Sequence, residues 1–346
     1  MLKARFPDIN LEHFFTLCDD TGLFQHATHG VPNRKEGYCT DDVARAIIFL
    51  CKYPLANSNP HAIRSLATCL SFLHFASTPE GLFHNFLSFD RHWLDDAGSE
   101  DSHGRAMWAL GTASNCQLLT EASRGAAVDI FSRGLLKLRA VSAPRSFSFG
   151  MLGCAEAPNL DQSRIVLGEG GRFLTRIFRQ AATSDWQWFE RDLTYCNARI
   201  CHSLYAAYSV LKHEEFLDVA ERSMRFLIGA IFDNGILGTP GNAAWYKAGG
   251  PKSPFDQQPV EAGCTAEALL AAYRVTGNQE YLDYATRALM WYHGANRLGM
   301  NLVDETTGAC YDGLQPTGVN RNQGAEALLS YLLARVEYDR IVSKLI

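Results

Sequence analysis

Gly37-Tyr-Cys-Thr-Asp-Asp-Val-Ala-Arg-Ala-Ile-Ile-Phe-Leu50 decides how the rest of the chain is read. Its head is polar and doubly acidic (Thr40, Asp41, Asp42), and its body is apolar on nearly every side (Ala44, Ile47, Ile48, Phe49, Leu50). A Thr or Asp before a helix satisfies orphan backbone N–H groups, so Asp41 is expected to act as a cap. A helix apolar all round is a buried one. The same design recurs down the chain, which makes it a repeated unit rather than a single feature.

Working outward, twelve helical segments alternate in character. Six are conventionally amphipathic, at 11–18, 61–76, 122–138, 171–182, 214–231 and 279–293, with apolar residues at three- and four-residue steps. Six are apolar nearly throughout and polar at the head, at 41–51, 102–118, 146–155, 195–211, 262–273 and 322–336. Aligning the heads Asp42-Val-Ala-Arg-Ala, Ser102-His-Gly-Arg-Ala, Cys196-Asn-Ala-Arg-Ile, Cys264-Thr-Ala-Glu-Ala and Gln323-Gly-Ala-Glu-Ala brings Arg45, Arg105, Arg199, Glu267 and Glu326 into register. The gaps are 60, 94, 68 and 59 residues, the longest of them room for one more unit near Phe149. Small residues precede each charge (Ala44, Gly104, Ala198, Ala266, Ala325), as close side-by-side packing requires. Such a period marks a repeated supersecondary unit. An open solenoid would leave a concave face exposed. These inner helices are too apolar for that, and the long connections before their heads mark one functional side. The expected fold is therefore all-α: an (α/α)6 toroid or barrel of six inner and six outer helices, in one domain over 1–346.

Composition narrows the function. The chain of 346 residues carries a net charge of −5, with 47% hydrophobic and 20% charged residues. That gives no electrostatic footprint for nucleic acid or for an anionic membrane surface. No apolar run approaches the ~18 residues of a membrane span, and no signal segment opens the chain, so a cytoplasmic protein is expected. The ten cysteines form no C-x-x-C pair and no zinc ladder, and they are expected to be reduced thiols, most of them buried. No phosphate cradle or calcium loop is present, so no metal and no cofactor is expected. The connections are rich in Trp, Tyr, Asp, Glu, Asn, Gln and Arg, side chains that stack on sugar rings and grip hydroxyl pairs.

At this point the chain resembles the six-hairpin, (α/α)6-barrel glycosidase-like proteins. In particular it resembles the bacterial domain that carries D-D-T-G…Q-H-A (here Asp19–Ala27) and G-Y-C-T-D-D-x-A-R-A (Gly37–Ala46). The pattern continues at Glu100-Asp-Ser-His-Gly-Arg-Ala, Trp186-Gln-Trp-Phe-Glu, Leu193-Thr-Tyr-Cys-Asn-Ala-Arg, Gln257-Gln-Pro-Val-Glu-Ala and Asn320-Arg-Asn-Gln-Gly-Ala-Glu. Such domains occur alone or beside glycosyltransferase-like domains. The resemblance implies a role with oligosaccharides, with mannose-containing ones the expected class. The sequence departs from the pattern at Val43 and Cys196, in place of Asn and Asp, and Arg191 stands where an acid is common.

Glycoside hydrolysis needs two carboxyl groups, one protonated as acid and one ionised as base or nucleophile. Glu190, among three aromatic residues that would desolvate it, is the expected acid. Asp101, at a helix head whose dipole keeps it ionised, is the expected base. Asp42 and Asp192 are the reserve carboxylates. The expected sugar contacts are Trp93, His103, Arg105, Trp186, Trp188, Tyr195, Asn197, Trp245, Tyr246, Gln258, Glu261 and Asn322. Glu267 and Glu326 are expected to pair with Arg45, Arg105 or Arg199 in a structural ring. Two other readings stay open: a sugar isomerase or 2-epimerase handling a proton through His103 or His202, and a carbohydrate-binding accessory domain without turnover.

Overall fold

The computed structural model describes residues 4–345. Among these, twelve α-helices appear in chain order: α1 Glu12–Leu17, α2 Thr40–Lys52, α3 Pro60–Ala76, α4 Glu100–Ala113, α5 Glu121–Leu138, α6 Pro144–Glu156, α7 Ser163–Ala181, α8 Ala198–Leu211, α9 Glu214–Ile231, α10 Pro259–Thr276, α11 Gln279–Met290 and α12 Ala325–Val342. The strands are two- and three-residue ladders in the connections. The chain divides into two compact units, His13–Gly170, and Gly171 onward together with the residues up to Glu12. The division falls within α7.

In the first unit, the period of the sequence sorts the helices. On α3 the buried residues Ala62, Ser65, Leu66, Cys69, Leu70, Phe72, Leu73 and Ala76 keep three- and four-residue steps, one stripe on a helix otherwise open to water. By contrast α4 is buried at every position from Ser102 to Ala113, and α2 and α6 are nearly as enclosed. α4 packs against α2, α5 and α6. Its contact with α6 is made at glycines. A Cβ on Gly104 would lie 2.2 Å from the Ser146 carbonyl oxygen, and one on Gly111 would lie 2.2 Å from that of Gly153. Backbone meets backbone there, which the small residue before Arg105 foretold.

The second unit repeats the division. α9 buries Phe216, Val219, Ala220, Ser223, Met224, Leu227 and Ile231, again one stripe. α10 and α12 are buried over most of their length, and α10 packs against α8, α11 and α12. Here Gly263 makes the close approach, a Cβ on it falling 2.5 Å from the Ser330 carbonyl oxygen.

Two inner helices are cut short at one end relative to what periodicity alone suggests. The helix expected over 102–118 stops at Ala113, because Asn115, Cys116 and Leu119 turn back on i−3 carbonyls. The helix expected from 195 starts at Ala198. Cys196 sits at φ 47°, and the Asn197 side chain closes the preceding turn, its Oδ1 taking the Thr194 N–H at 2.9 Å and its Nδ2 donating to the Thr194 carbonyl at 2.7 Å. The end of α8 is fixed by Lys212 in the left-handed region, and that of α10 by Gly277 at φ 71°.

Candidate active site

The head of α2 is held without the expected cap. Cys39 occupies the N-cap position and makes no side-chain cap bond. The strand Tyr38–Cys39 pairs instead with Phe86–Leu87, the Thr40 N–H donates to the Asn85 carbonyl at 2.8 Å, and Thr40 Oγ1 donates to that of His84 at 2.6 Å. Asp95 secures the partner strand, its carboxylate accepting the N–H groups of Asn85 (2.8 Å) and Phe86 (3.3 Å). Asp41 is thereby released from capping, and the sequence-based assignment of its role is corrected.

Asp41 and Asp42 point to different surroundings. Asp42 is buried; its Oδ1 lies 2.6 Å from Arg45 Nη1, and its Oδ2 accepts the Cys39 thiol at 3.0 Å. Asp41 keeps 24% of its side chain open and faces the Arg105 guanidinium, with Nε to Oδ1 at 3.6 Å. Burial pushes the Asp41 carboxyl up to about 6; Arg105 and Arg45 oppose that shift, and Asp42 and Asp101 reinforce it. Asp42, expected as a reserve carboxylate, is engaged with Arg45 and Cys39. Asp41 is the partly open acid whose carboxyl is raised.

Asp101 is half-buried in the first turn of α4, where its Oδ1 accepts the Ser146 hydroxyl from the head of α6. Arg105, one turn on, is buried and stacks its guanidinium 3.9 Å from the centre of the Phe149 ring of α6. The heads of α2, α4 and α6 thus bring together Asp41, Asp42, Asp101, Arg45, Arg105 and Ser146. Ser146 was not singled out from the sequence, because its helix lacks the charged landmark that the others carry.

His103, expected as a sugar contact, is turned toward the outer helix α5. Its Nε2 meets the Gly134 carbonyl of α5 at 3.2 Å, its ring packs on Phe83, and burial holds its pKa down at about 4. It is a neutral core residue between α4 and an outer helix.

In the second unit, Glu261 is buried in the first turn of α10. It accepts the backbone N–H of Cys196 and the Asn197 amide, the latter at 3.3 Å. Asn197, expected as a sugar contact, is 2% exposed and serves the turn before α8. Arg199 binds Glu267, the expected ring pair, and its Nη1 lies 3.1 Å from His202 Nδ1. Because an arginine can only donate, that contact places the His202 proton on Nε2.

The aromatic connection before α8 also reads differently in three dimensions. Trp188 is wholly buried against Phe189 and Phe226, and Trp186 is buried against Phe226 and Tyr246. The Trp186 indole N–H donates to the Glu190 carbonyl at 2.7 Å, so these rings brace the main chain that carries Glu190, itself half-buried. Asp192 is half-buried in a short ladder opposite Lys247. Trp245, held at φ 59°, and Tyr246 remain partly open. So do Gln258, which occupies the N-cap position of α10, and Asn322, whose carbonyl accepts the Asp312 N–H at 2.8 Å. Tyr195 is the most open of the expected contacts, at 36%. In the first unit Trp93 is half-buried, with one face stacked on His84 at 4.8 Å.

Among the described residues, no cluster of three or more His, Cys, Asp and Glu side chains could hold a metal ion. No described helix is long and apolar enough to cross a membrane. No protein-family profile matches the chain, and no curated protein matches its sequence. Solved structures do match, at low identity. A D-mannose isomerase aligns at TM-score 0.72 with 14% identity, over 96% of this chain and 94% of that one. Cellobiose 2-epimerase from Bacillus thermoamylovorans aligns at 0.73 with 9% identity, over 97% and 96%. A GH76 α-mannanase from Bacteroides thetaiotaomicron aligns at 0.61 with 13% identity, over 88% of each chain. The fold is the (α/α)6 barrel, all-α with six inner and six outer helices.

Proposed function

We propose that this chain is an oligosaccharide-active enzyme that cleaves glycosidic bonds, with Asp41 as the proton donor. The observation that carries this reading is the grouping at the heads of α2 and α4. There, burial raises the partly open Asp41 carboxyl to about 6 beside Asp42, which is paired with Arg45. An environment that raises one carboxyl above the ordinary range is how a fold makes a general acid. The names of the similar structures, a mannose isomerase and an α-mannanase, support mannose-containing substrates.

In this reading, the Asp41 carboxyl gives its proton to the glycosidic oxygen as the bond from that oxygen to the anomeric carbon breaks. The Asp101 carboxylate takes the proton of the water that adds to the anomeric carbon. The Ser146 hydroxyl, donating to Asp101 Oδ1, orients that carboxylate. Arg105 holds Asp41 in place and lowers the cost of its ionised form after transfer. Glu190, the acid expected from sequence, is the alternative donor.

An isomerase or 2-epimerase is the second reading, favoured by the higher TM-scores of the isomerase and epimerase structures. Against it, His103 is engaged with the Gly134 carbonyl, and His202 with Arg199 on Nδ1 presents a donor rather than a free base. Incubation with a panel of mannose- and glucose-containing oligosaccharides, followed by product analysis, separates the readings. New reducing ends show hydrolysis, and an altered sugar of unchanged length shows isomerisation. An intact panel that nevertheless binds shows an accessory domain. Loss of cleavage in Glu190→Gln with none in Asp41→Asn would move the donor to Glu190.

A further inference from the structure

At the ends of α10 and α12 opposite their heads, a cavity of about 300 Å³ is lined by Tyr273, Arg274, Arg340, Ile341, Lys344 and Leu345. Roughly 20 Å of α10 separates Glu261 in its first turn from Arg274 in its last. Half-buried Tyr273, buried Ile341 and the exposed Leu345 give the cavity an apolar side. Arg274, Arg340 and Lys344, all exposed, give it a cationic side. Buried Glu337 pairs with both arginines, its Oε2 with Arg274 Nη2 and its Oε1 with Arg340 Nη1 at 3.4 Å. One carboxylate thus serves two guanidinium groups, and none of the six lining residues is an acid. The dipole of each helix accounts for one cation in its last turn. It does not account for three cations gathered on one cavity, in a chain whose net charge is −5.

We propose that this cavity binds a phosphate monoester bearing a single ring, the three cations holding the phosphate and the apolar side holding the ring. A guanidinium carries five N–H donors in a planar fork, and the Glu337 pairs engage one nitrogen of each arginine. The donors that remain suit the three terminal oxygens of a phosphate, which forked guanidinium groups grip two at a time. Lys344 adds a point charge on a flexible stem. Three cations less the one Glu337 carboxylate leave a local charge of +2. A phosphate monoester carries about −1.5 to −2 at neutral pH, so the two charges match. The volume stands at the lower end of the range for small-molecule sites, room for one ring beside the phosphate and not for an oligosaccharide. This inference does not depend on the proposed hydrolysis.

The test is isothermal titration calorimetry of the intact chain with phenyl phosphate, phenol and inorganic phosphate as probes. Phenyl phosphate is expected to bind once per chain, and more weakly as salt is raised. Inorganic phosphate, which lacks the ring, should bind at least about fivefold more weakly, and phenol should give no measurable heat. Lys344→Gln leaves both Glu337 pairs in place, so it should weaken phenyl phosphate about five- to tenfold without moving the melting temperature. Arg340→Gln should weaken it to a similar degree. Absence of phenyl phosphate binding to the wild-type chain would overturn the proposal, and that measurement needs no variant to fold. So would inorganic phosphate binding as tightly as the ester, or wild-type affinity in both variants.

Discussion

Arg45 Nη1 lies 2.6 Å from Asp42 Oδ1, one turn back on the same buried helix, and both side chains are nearly closed to water. Removing one member of such a pair strands the other charge in a poor solvent. Asp42→Asn should therefore cost about 3 kcal/mol of stability and lower the melting temperature by several degrees. Thermal unfolding monitored by circular dichroism checks this, and a change within about 0.5 kcal/mol would show that the pair carries no such weight.

The neighbouring acid should behave in the opposite sense. Asp41 rises from an ordinary value of 3.8 to about 6 on folding, so the native state binds its proton more tightly than the unfolded chain. Stability is then fully present below pH ~4, falls by about 2–3 kcal/mol as pH rises through ~6, and stays lower above that. Asp41→Asn should remove this dependence and make the protein more stable than wild type at pH 7. Denaturant unfolding at a series of pH values measures it.

Packing of α4 against α6 allows a paired test. An added methyl on Gly104 would meet the Ser146 carbonyl at 2.2 Å, so Gly104→Ala should cost about 1–3 kcal/mol and loosen the Ser146–Asp101 hydrogen bond. Gly125, in the exposed helix α5, has nothing within 4 Å of the same methyl. Gly125→Ala should stabilise by about 0.5–1 kcal/mol, since alanine is the better helix former. Urea midpoints of the two variants should move in opposite directions.

The architecture was legible because burial on all sides and burial on one stripe leave different periodicities, and these persist over three or more turns. Gly104 and the Arg199–Glu267 pair were legible for the same reason: repeated heads fix which residues share a level. The site was less so. Asp41 and Asp42 are adjacent, so a rotation of about 100° on one helix separates the paired acid from the partly open one, and neither composition nor spacing encodes that angle. His103 carries the same ambiguity, resolved only by the Gly134 carbonyl that it meets on α5. Trp186 and Trp188 lie in a connection with no period, where a buried brace and an open platform have identical sequences.

The central claim, that Asp41 protonates the leaving group, is tested most directly by comparing two substrates in Asp41→Asn. On an oligosaccharide that the wild type cleaves, kcat/KM should fall by about 10²–10⁴-fold, since a poor leaving group needs its proton. On an aryl glycoside of the same sugar with an acidic phenol, the loss should be far smaller, because that phenolate departs unaided. Equal losses on both substrates, or full activity on the oligosaccharide, would contradict the assignment of Asp41 as the acid.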